Sequence, residues 1–343
     1  MTMKVGLEAV AMDMQGDVVT PKDQEYLLPT VPEFLRATFH FPEQIRRFRN
    51  DDAAEILAEN VSRKVLDQAG LKPSDIDYII ANNCGGKYTV PMVGGYIHWK
   101  LGFPVEVPVL NISNACASFV DGCEVAWNLV NAGKYKRILL VTVAAWETIG
   151  GQCRTDLSNA QFAMMGDGAG ATIISSQNLK CEFLSTFNRT WPETYDMCGA
   201  KPKAPDVPDL PGCPPQPPFS SYGYGTPEFF MWWQKVGERF GIDGILGGLK
   251  NANLTLNDLD VVIFHQPADL LYDIWIWGAE KEGLSKDKWI HTWNKYGNMS
   301  NAVIPVNLAE FSAEGKFWKG MIQAWITIGA GGHTPTMIVK WLT

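Results

Sequence analysis

Short apolar runs alternate with amphipathic stretches along most of this chain, a pattern that predicts strands and helices in turn. Lys4–Met12 reads as a first or edge strand, followed by a loop rich in proline and charge to about Pro32. Ala54, Leu57, Ala58, Val61, Val65 and Leu66 recur at helical spacing over Asp51–Ala69, and Gly70 supplies a stop. Ile76–Ala81 reads as a short strand, Asn82–Gly95 as a glycine-rich loop, Gly94–Leu101 as a helix and Val105–Leu110 as a strand. A small-residue turn carrying Cys116 then opens a long, mostly apolar helix. Further strands are predicted at Ile138–Ala144 and within Phe162–Ser175, whose glycines suit close backbone packing better than a phosphate loop, because a β-branched run and not a helix follows them. From Asn188 to about Pro227 ten prolines break the pattern. They exclude regular structure and predict a long loop or cap, packed down by Trp191, Tyr195, Phe219, Tyr222 and Tyr224. Helical spacing resumes at Glu228.

The second half repeats the first. LKPSDIDYII at 71–80 has a counterpart 183 residues on, LTLNDLDVVI at 254–263, and AGKY at 132–135 recurs 182 residues on as EGKF at 314–317. Two similar α/β halves follow, 1–176 and 177–343, the second carrying the proline-rich insertion at about 188–227. The same offset carries Asn82 onto His265 and Cys116 onto Met299, beside Asn298. Polar and reactive residues thus fall at strand ends and helix starts, where sites form in α/β sheets.

Composition narrows the class. A hydrophobic share of 46% with 19% charged residues describes a globular chain, and no uncharged apolar run is long enough to span a membrane. The start of the sequence lacks a signal-peptide pattern, so a cytoplasmic protein is expected. Seven scattered cysteines without a CxxC pair point to reduced thiols, and to neither a disulfide framework nor a zinc site. A net charge of −8 argues against nucleic acid and anionic membrane as partners, and weakens the case for a strongly acidic carrier protein.

The chemistry centres on Cys116. Unpaired N–H groups and the dipole at a helix start lower a thiol's pKa, and the thiolate is the reactive form. From this stretch alone two readings stay open, a nucleophile or a small buried residue. His265 follows an apolar strand and Asn298 precedes an apolar helix. Cys, His and Asn on three such termini suit covalent acyl chemistry: a thiolate takes the acyl group, an imidazole manages charge or protons, and an amide donates to a developing oxyanion. The arginines about Phe34–Phe48, Arg36 and Arg46 among them, would serve the phosphates of a nucleotide-like cofactor or form a solvated face.

NACASF at 114–119, MGDGAGA at 165–171, His265-Gln266, YGNMS at 296–300 and GAGG at 329–332, in this order over nearly the whole chain, resemble the β-ketoacyl-acyl-carrier-protein synthase III (KAS III) family of the thiolase superfamily. The resemblance implies an α/β, five-layered αβαβα fold from two pseudo-repeated halves, and usually a homodimer. It implies that Cys116 is acylated by acyl-CoA or an acyl carrier, and that His265 and Asn298 bind the thioester carbonyl of the second substrate. The oxyanion hole would combine the Cys116 N–H with one from Gly331–Gly332. No further cofactor and no metal is implied. Where some superfamily relatives carry a catalytic Glu, Asn82-Asn-Cys84 has none, and none is needed if loss of carbon dioxide generates the carbanion.

Departures from the family pattern shape the expectation. Pro267-Ala-Asp-Leu-Leu271 lacks a basic residue for carrier docking, which favours a CoA donor. The groups that grip CoA are not clearly matched; Arg36, Arg46 and Tyr88 are candidates, and His333, directly after Gly332, is either a second acid/base or a polar rim residue. Thirteen tryptophans allow an aromatic-lined acyl pocket and suit specialised lipid or polyketide metabolism. The leading expectation is decarboxylative Claisen condensation with a malonyl thioester. Acyl transfer to an oxygen or nitrogen acceptor, thioester hydrolysis, and a non-condensing subunit that pairs with an active homologue are the alternatives.

Overall fold

The computed structural model describes residues 3–30, 33, 40–88, 90–149, 152–153, 164–195, 199–202, 219–222 and 227–343. In the N-terminal part the strands are β1 (Gly6–Asp13), β2 (Asp17–Val19), β3 (Ile45–Arg47), β4 (Tyr78–Gly86), β5 (Val109–Asn111), β6 (Arg137–Ile149), β7 (Gln152–Cys153) and β8 (Gly168–Ser175). Its helices are α1 (Ala53–Ala69), α2 (Val93–Leu101) and α3 (Ser118–Asn131). The remainder contributes β9 (Cys181–Thr190), β10 (Gly199–Pro202), β11 (Phe219–Tyr222), α4 (Pro227–Asn251), β12 (Val261–Phe264) and α5 (Asp269–Lys281). After them come β13 (Trp289–Ile290), α6 (Trp293–Tyr296), α7 (Val303–Ala313), β14 (Ile322–Ile326) and β15 (His333–Trp341).

The sheet runs β13-β12-β14-β15-β9-β1-β8-β6-β4-β5. From the β1–β9 junction outward, β1-β8-β6-β4-β5 on one side mirrors β9-β15-β14-β12-β13 on the other. The repeat heard in the sequence therefore has a topological counterpart: β4 matches β12, so Asn82 and His265 stand at equivalent strand positions. Burial supplies the layers. One apolar cluster packs α1 and α2 on the outer face of the first half-sheet, another packs α4 and α5 on the outer face of the second, and a third joins α3 and α7 between them. The result is the αβαβα stack that the sequence led us to expect. Helix α1 shows why its residues form this element: Leu57, Ala58, Val61 and Val65 are fully buried on one stripe, and Gly70 closes it at φ 65, a left-handed turn that a side chain disfavours.

Several boundaries differ from the apolar pattern. Of the expected strand at 105–110 only Val109 and Leu110 are paired, in a strand that runs on to Asn111, while Val105 is 88% exposed. Pro104 and Pro108 lack the N–H that a ladder needs there, and Pro108 contributes its carbonyl alone, to the Ile79 amide. Conversely, β4 runs five residues into the expected glycine-rich loop because the long β6 continues to pair with it through Gly86. The proline-rich stretch is not devoid of regular structure either: β9 extends to Thr190, and Gly199–Pro202 pairs antiparallel with Phe219–Tyr222. Prolines forbid only their own donors, and Pro202 occupies the end of its strand. Trp191 stacks on Phe240 at 5.1 Å, as expected, but Tyr195 is 76% exposed and does not pack the stretch down. Tyr224 lies outside the described residues.

Candidate active site

Cys116 sits in a single 3-10 turn, Ala115–Ala117, immediately ahead of α3 rather than on the helix itself. The turn is tight. Ala115 has φ 47, a conformation that costs a non-glycine residue energy and persists only where its surroundings hold it. The holding bonds are local: the Asn114 amide donates to Ser118 Oγ at 3.0 Å, Ser118 Oγ donates to the Ala115 carbonyl at 2.8 Å, and the Ala117 amide donates to the Asn114 carbonyl at 3.0 Å. From the C-terminal part Thr327 Oγ1 donates to the Cys116 carbonyl at 2.9 Å.

Asn298 arrives by a different device. Gly166 and Gly297 let two loops meet backbone to backbone: a Cβ on Gly166 would run into the Tyr296 carbonyl, and one on Gly297 into the Met164 carbonyl. The Asn298 amide donates to the Met164 carbonyl at 2.8 Å, and the Gly166 amide to the Asn298 carbonyl at 3.0 Å. Hence the glycines of MGDGAGA do serve close packing. Asp167 beside them accepts from the backbone amides of Trp146 (2.6 Å) and Phe48 (2.9 Å), which fixes this crossing.

Ser300 links these pieces. Its Oγ lies 3.1 Å from Cys116 Sγ and 3.2 Å from Cys84 Sγ, and its amide donates to Asn298 Oδ1 at 2.8 Å. With Oδ1 so engaged, the Asn298 Nδ2 has only a long contact, 3.4 Å, to the Pro267 carbonyl. His265, at the end of β12, lies against the Ser300 backbone and is 1% exposed. Among the described residues no hydrogen bond of ordinary geometry reaches either ring nitrogen. Desolvation pushes the imidazole down to about 3, against a small opposing effect of the Ser300 backbone, so the ring is neutral at physiological pH. Burial also raises the Cys84 thiol, which contacts Asn82 Oδ1 at 3.7 Å.

The glycine turn closes over the nucleophile turn. Gly331 and Gly332 have φ 92 and 81, the Gly329 amide donates to the His333 carbonyl at 2.8 Å, and the Gly332 amide donates to the Gly329 carbonyl at 2.9 Å. A Cβ on Gly329 would stand 2.5 Å from the Asn114 carbonyl. Of the two amides expected to serve an oxyanion, the Gly332 N–H is thus already spent within the turn, which leaves that of Gly331. His333 is about a quarter exposed; its Nε2 is 3.1 Å from Asp121 Oδ1 and its Nδ1 3.2 Å from Thr190 Oγ1.

Cys116, His265, Asn298 and the Gly331–Gly332 turn with His333 are therefore brought together from elements far apart in the chain. The Arg46 guanidinium binds the Gly16 carbonyl at 3.4 Å, while the Arg46 carbonyl accepts from the Asp167 amide beside the Asn298 crossing. Tyr88 is half exposed, beneath Lys87, on the loop after β4, and Arg36 lies outside the described residues. Ser300, Cys84 and Asp121 escaped sequence reasoning. Ser300 stood inside a quoted motif, but its hydroxyl gains meaning only through the two sulfurs that flank it. Among the described residues, no group of three His, Cys, Asp or Glu side chains is placed to hold a metal ion.

Known proteins resemble this chain. A family profile described as 3-oxoacyl-[acyl-carrier-protein (ACP)] synthase III matches residues 110–190, its C-terminal counterpart matches 249–341, and a thiolase N-terminal domain profile matches 41–146. The chain is a KAS III-like member of the thiolase superfamily. It is 26% identical to the β-ketoacyl-[acyl-carrier-protein] synthase III of Listeria innocua and 27% identical to that of Staphylococcus aureus, with 99% of each chain covered. Among solved structures, a variant OleA of Xanthomonas campestris superposes with a TM-score of 0.81 at 17% identity, covering 99% of both chains. The 3-oxoacyl-[acyl-carrier-protein] synthase III of Aquifex aeolicus does so with a TM-score of 0.77 at 21% identity, covering 98% of this chain and 100% of that one. This KAS III-like protein is accordingly an acyl-transferring enzyme. No helix among its described residues is long and apolar enough to cross a membrane.

Proposed function

We propose that this enzyme carries out decarboxylative condensation through an acyl-Cys116 intermediate. The Cys116 thiolate attacks the carbonyl of an acyl-CoA, or of an acyl carrier thioester, and the departing thiolate takes up the proton. A malonyl thioester then binds with its carbonyl between His265 and Asn298. Its carboxylate leaves as carbon dioxide, the resulting enolate attacks the acyl carbonyl, a carbon–carbon bond forms, and the Cys116 S–C bond breaks to restore the thiolate. The Cys116 and Gly331 amides would hold the oxyanion of the acyl-enzyme; a donor so placed typically supplies about 3 kcal/mol.

One observation carries this reading: a fully buried imidazole whose nitrogens have no hydrogen bond of ordinary geometry among the described residues, only the nearby Ser300 backbone, next to an amide Nδ2 that is only loosely engaged. Buried polar groups are normally bonded, and donors left waiting beside a nucleophile suit an incoming carbonyl. The low basicity of His265 favours condensation over transfer to an alcohol or amine, because such an acceptor calls for a base to take its proton. Condensation needs none. The names of the relatives support a ketoacyl product; the length of the acyl chain, the choice between CoA and carrier, and a place in lipid or polyketide metabolism are part of the proposal only as a class. Reduced thiols at Cys84 and Cys116 suit a cytoplasmic setting.

The partner we favour is a second copy of the chain. Strand β5 ends the sheet with one edge unpaired among the described strands, and Val90, Trp99 and Val105 beside it are 83%, 70% and 88% exposed. An open edge flanked by apolar side chains is a pairing surface.

Intact-protein mass spectrometry after incubation with a panel of acyl-CoAs tests the reading. An adduct of acyl mass on the wild type, absent from Cys116→Ala and discharged to a ketoacyl product with carbon dioxide release on addition of malonyl-CoA, is expected. An adduct that survives in the variant, or discharge as free acid alone, would overturn it.

A further inference from the structure

His333 and Asp121 form an ion pair that joins the two turns of the site, and no step of the chemistry uses it. Asp121 lies in the first turn of α3. Its Oδ1 faces His333 Nε2 at 3.1 Å, and its Oδ2 accepts from Asn114 Nδ2 at 2.6 Å. Asn114 is the residue whose carbonyl caps the Cys116 turn and packs against Gly329. One continuous chain of bonds thus runs from Thr190 through His333 and Asp121 to Asn114, spanning β9, β15, α3 and the nucleophile turn.

We propose that His333 is a positioning residue for Cys116: as an imidazolium it holds Asp121, which through Asn114 keeps the nucleophile turn against the glycine turn and its sulfur on the Ser300 hydroxyl. The proposal rests on the acyl-enzyme reading above. The other groups facing the ring are accounted for. Glu124, one turn along α3, is engaged by Thr186 Oγ1 and Asn188 Nδ2, both at 2.8 Å, and Arg189 on β9 is turned away to Asp243. Asp121 is therefore the carboxylate that the ring answers to. Its hydrogen bond raises the imidazole above the ordinary histidine range, with Glu124 helping through space and burial opposing. A raised imidazole keeps its charge to higher pH than an ordinary histidine and loses it as pH rises through the folded value. The clamp is consequently complete in acid and weakened as pH rises.

The test is the ratio of Cys116 acylation rates, wild type over His333→Gln, measured by intact mass across pH; taking a ratio cancels the ionisation of the thiol itself. Glutamine keeps a neutral N–H for Asp121 without the charge. We expect a ratio of about tenfold near pH 6 that falls to within about twofold near pH 9, with His333→Ala slower than both at every pH. A ratio that does not change with pH, or one near unity throughout, would overturn the proposal. If the wild type takes no acyl group, the acyl-enzyme reading has failed, and the same ratio measured by iodoacetamide alkylation of Cys116 still decides the role of His333. Asp121→Asn, which removes the other charge of the pair, must flatten the ratio in the same way.

Discussion

Cys116 Sγ lies 3.1 Å from the hydroxyl of Ser300, a residue 184 positions away in the chain, whose own backbone is left-handed at φ 50. A serine O–H beside a sulfur stabilises the thiolate, and one hydroxyl has a single proton to give to either Cys116 or Cys84. Ser300→Ala should therefore slow alkylation of Cys116 by about tenfold or more, as expected for one hydrogen bond of about 1.5–3 kcal/mol to a charged group. Ser300→Gly serves as the control, because it also lacks the hydroxyl but tolerates the left-handed backbone. Equal slowing in both variants assigns the effect to the hydroxyl; slowing in the alanine variant alone assigns it to strain.

The thiols should differ in reactivity. Cys84 and Cys116 are both half-buried, but desolvation raises the Cys84 thiol, as it does that of Cys123, and brings Cys181 up to about 12. At pH 8, limited iodoacetamide should label Cys116 before these three, as read by peptide mapping. Labelling of Cys84 ahead of Cys116 would contradict the burial described here.

His265 imposes an acid liability on the fold. Its ordinary value is 6.5 and its folded value about 3, so as pH falls below 6.5 the unfolded chain takes up a proton that the folded chain refuses. Stability should then decline by about 1.4 kcal/mol per pH unit from this residue over that window. Urea unfolding of wild type and His265→Gln at pH 7 and pH 5 measures it: the difference between the two proteins should move by roughly 2 kcal/mol in favour of the variant at the lower pH. The same variant should still form the acyl-enzyme but fail to decarboxylate the malonyl thioester.

Gly297 holds Asn298 in place through a backbone conformation, φ 62 and ψ −151, that is close to a region only glycine occupies readily. Gly297→Ala should cost about 3 kcal/mol or more, since the new Cβ meets both the strained backbone and the Met164 carbonyl. A thermal melt within a degree or two of wild type would show that the two loops can part more easily than their backbone bonds suggest.

The sequence by itself determined the alternation of strands and helices, the repeat that pairs β4 with β12, and the three residues Cys116, His265 and Asn298. Each of these follows from local periodicity, from self-similarity at a fixed offset or from a contiguous motif, and such signals survive without coordinates. The tertiary structure decided what contiguous signals cannot carry. It extended β4 past its apolar run because β6 pairs with it, and it kept Val105 out of the sheet because the flanking prolines lack donors. It set the Arg46 guanidinium on the Gly16 carbonyl. It buried the His265 ring against the Ser300 backbone, placed the Ser300 hydroxyl between two sulfurs, and joined His333 to Asp121 across 212 positions. Desolvation and hydrogen-bond geometry are properties of neighbours in space, and these neighbours come from opposite halves of the chain, so the charge states and partners that govern the chemistry were fixed only when the halves packed together.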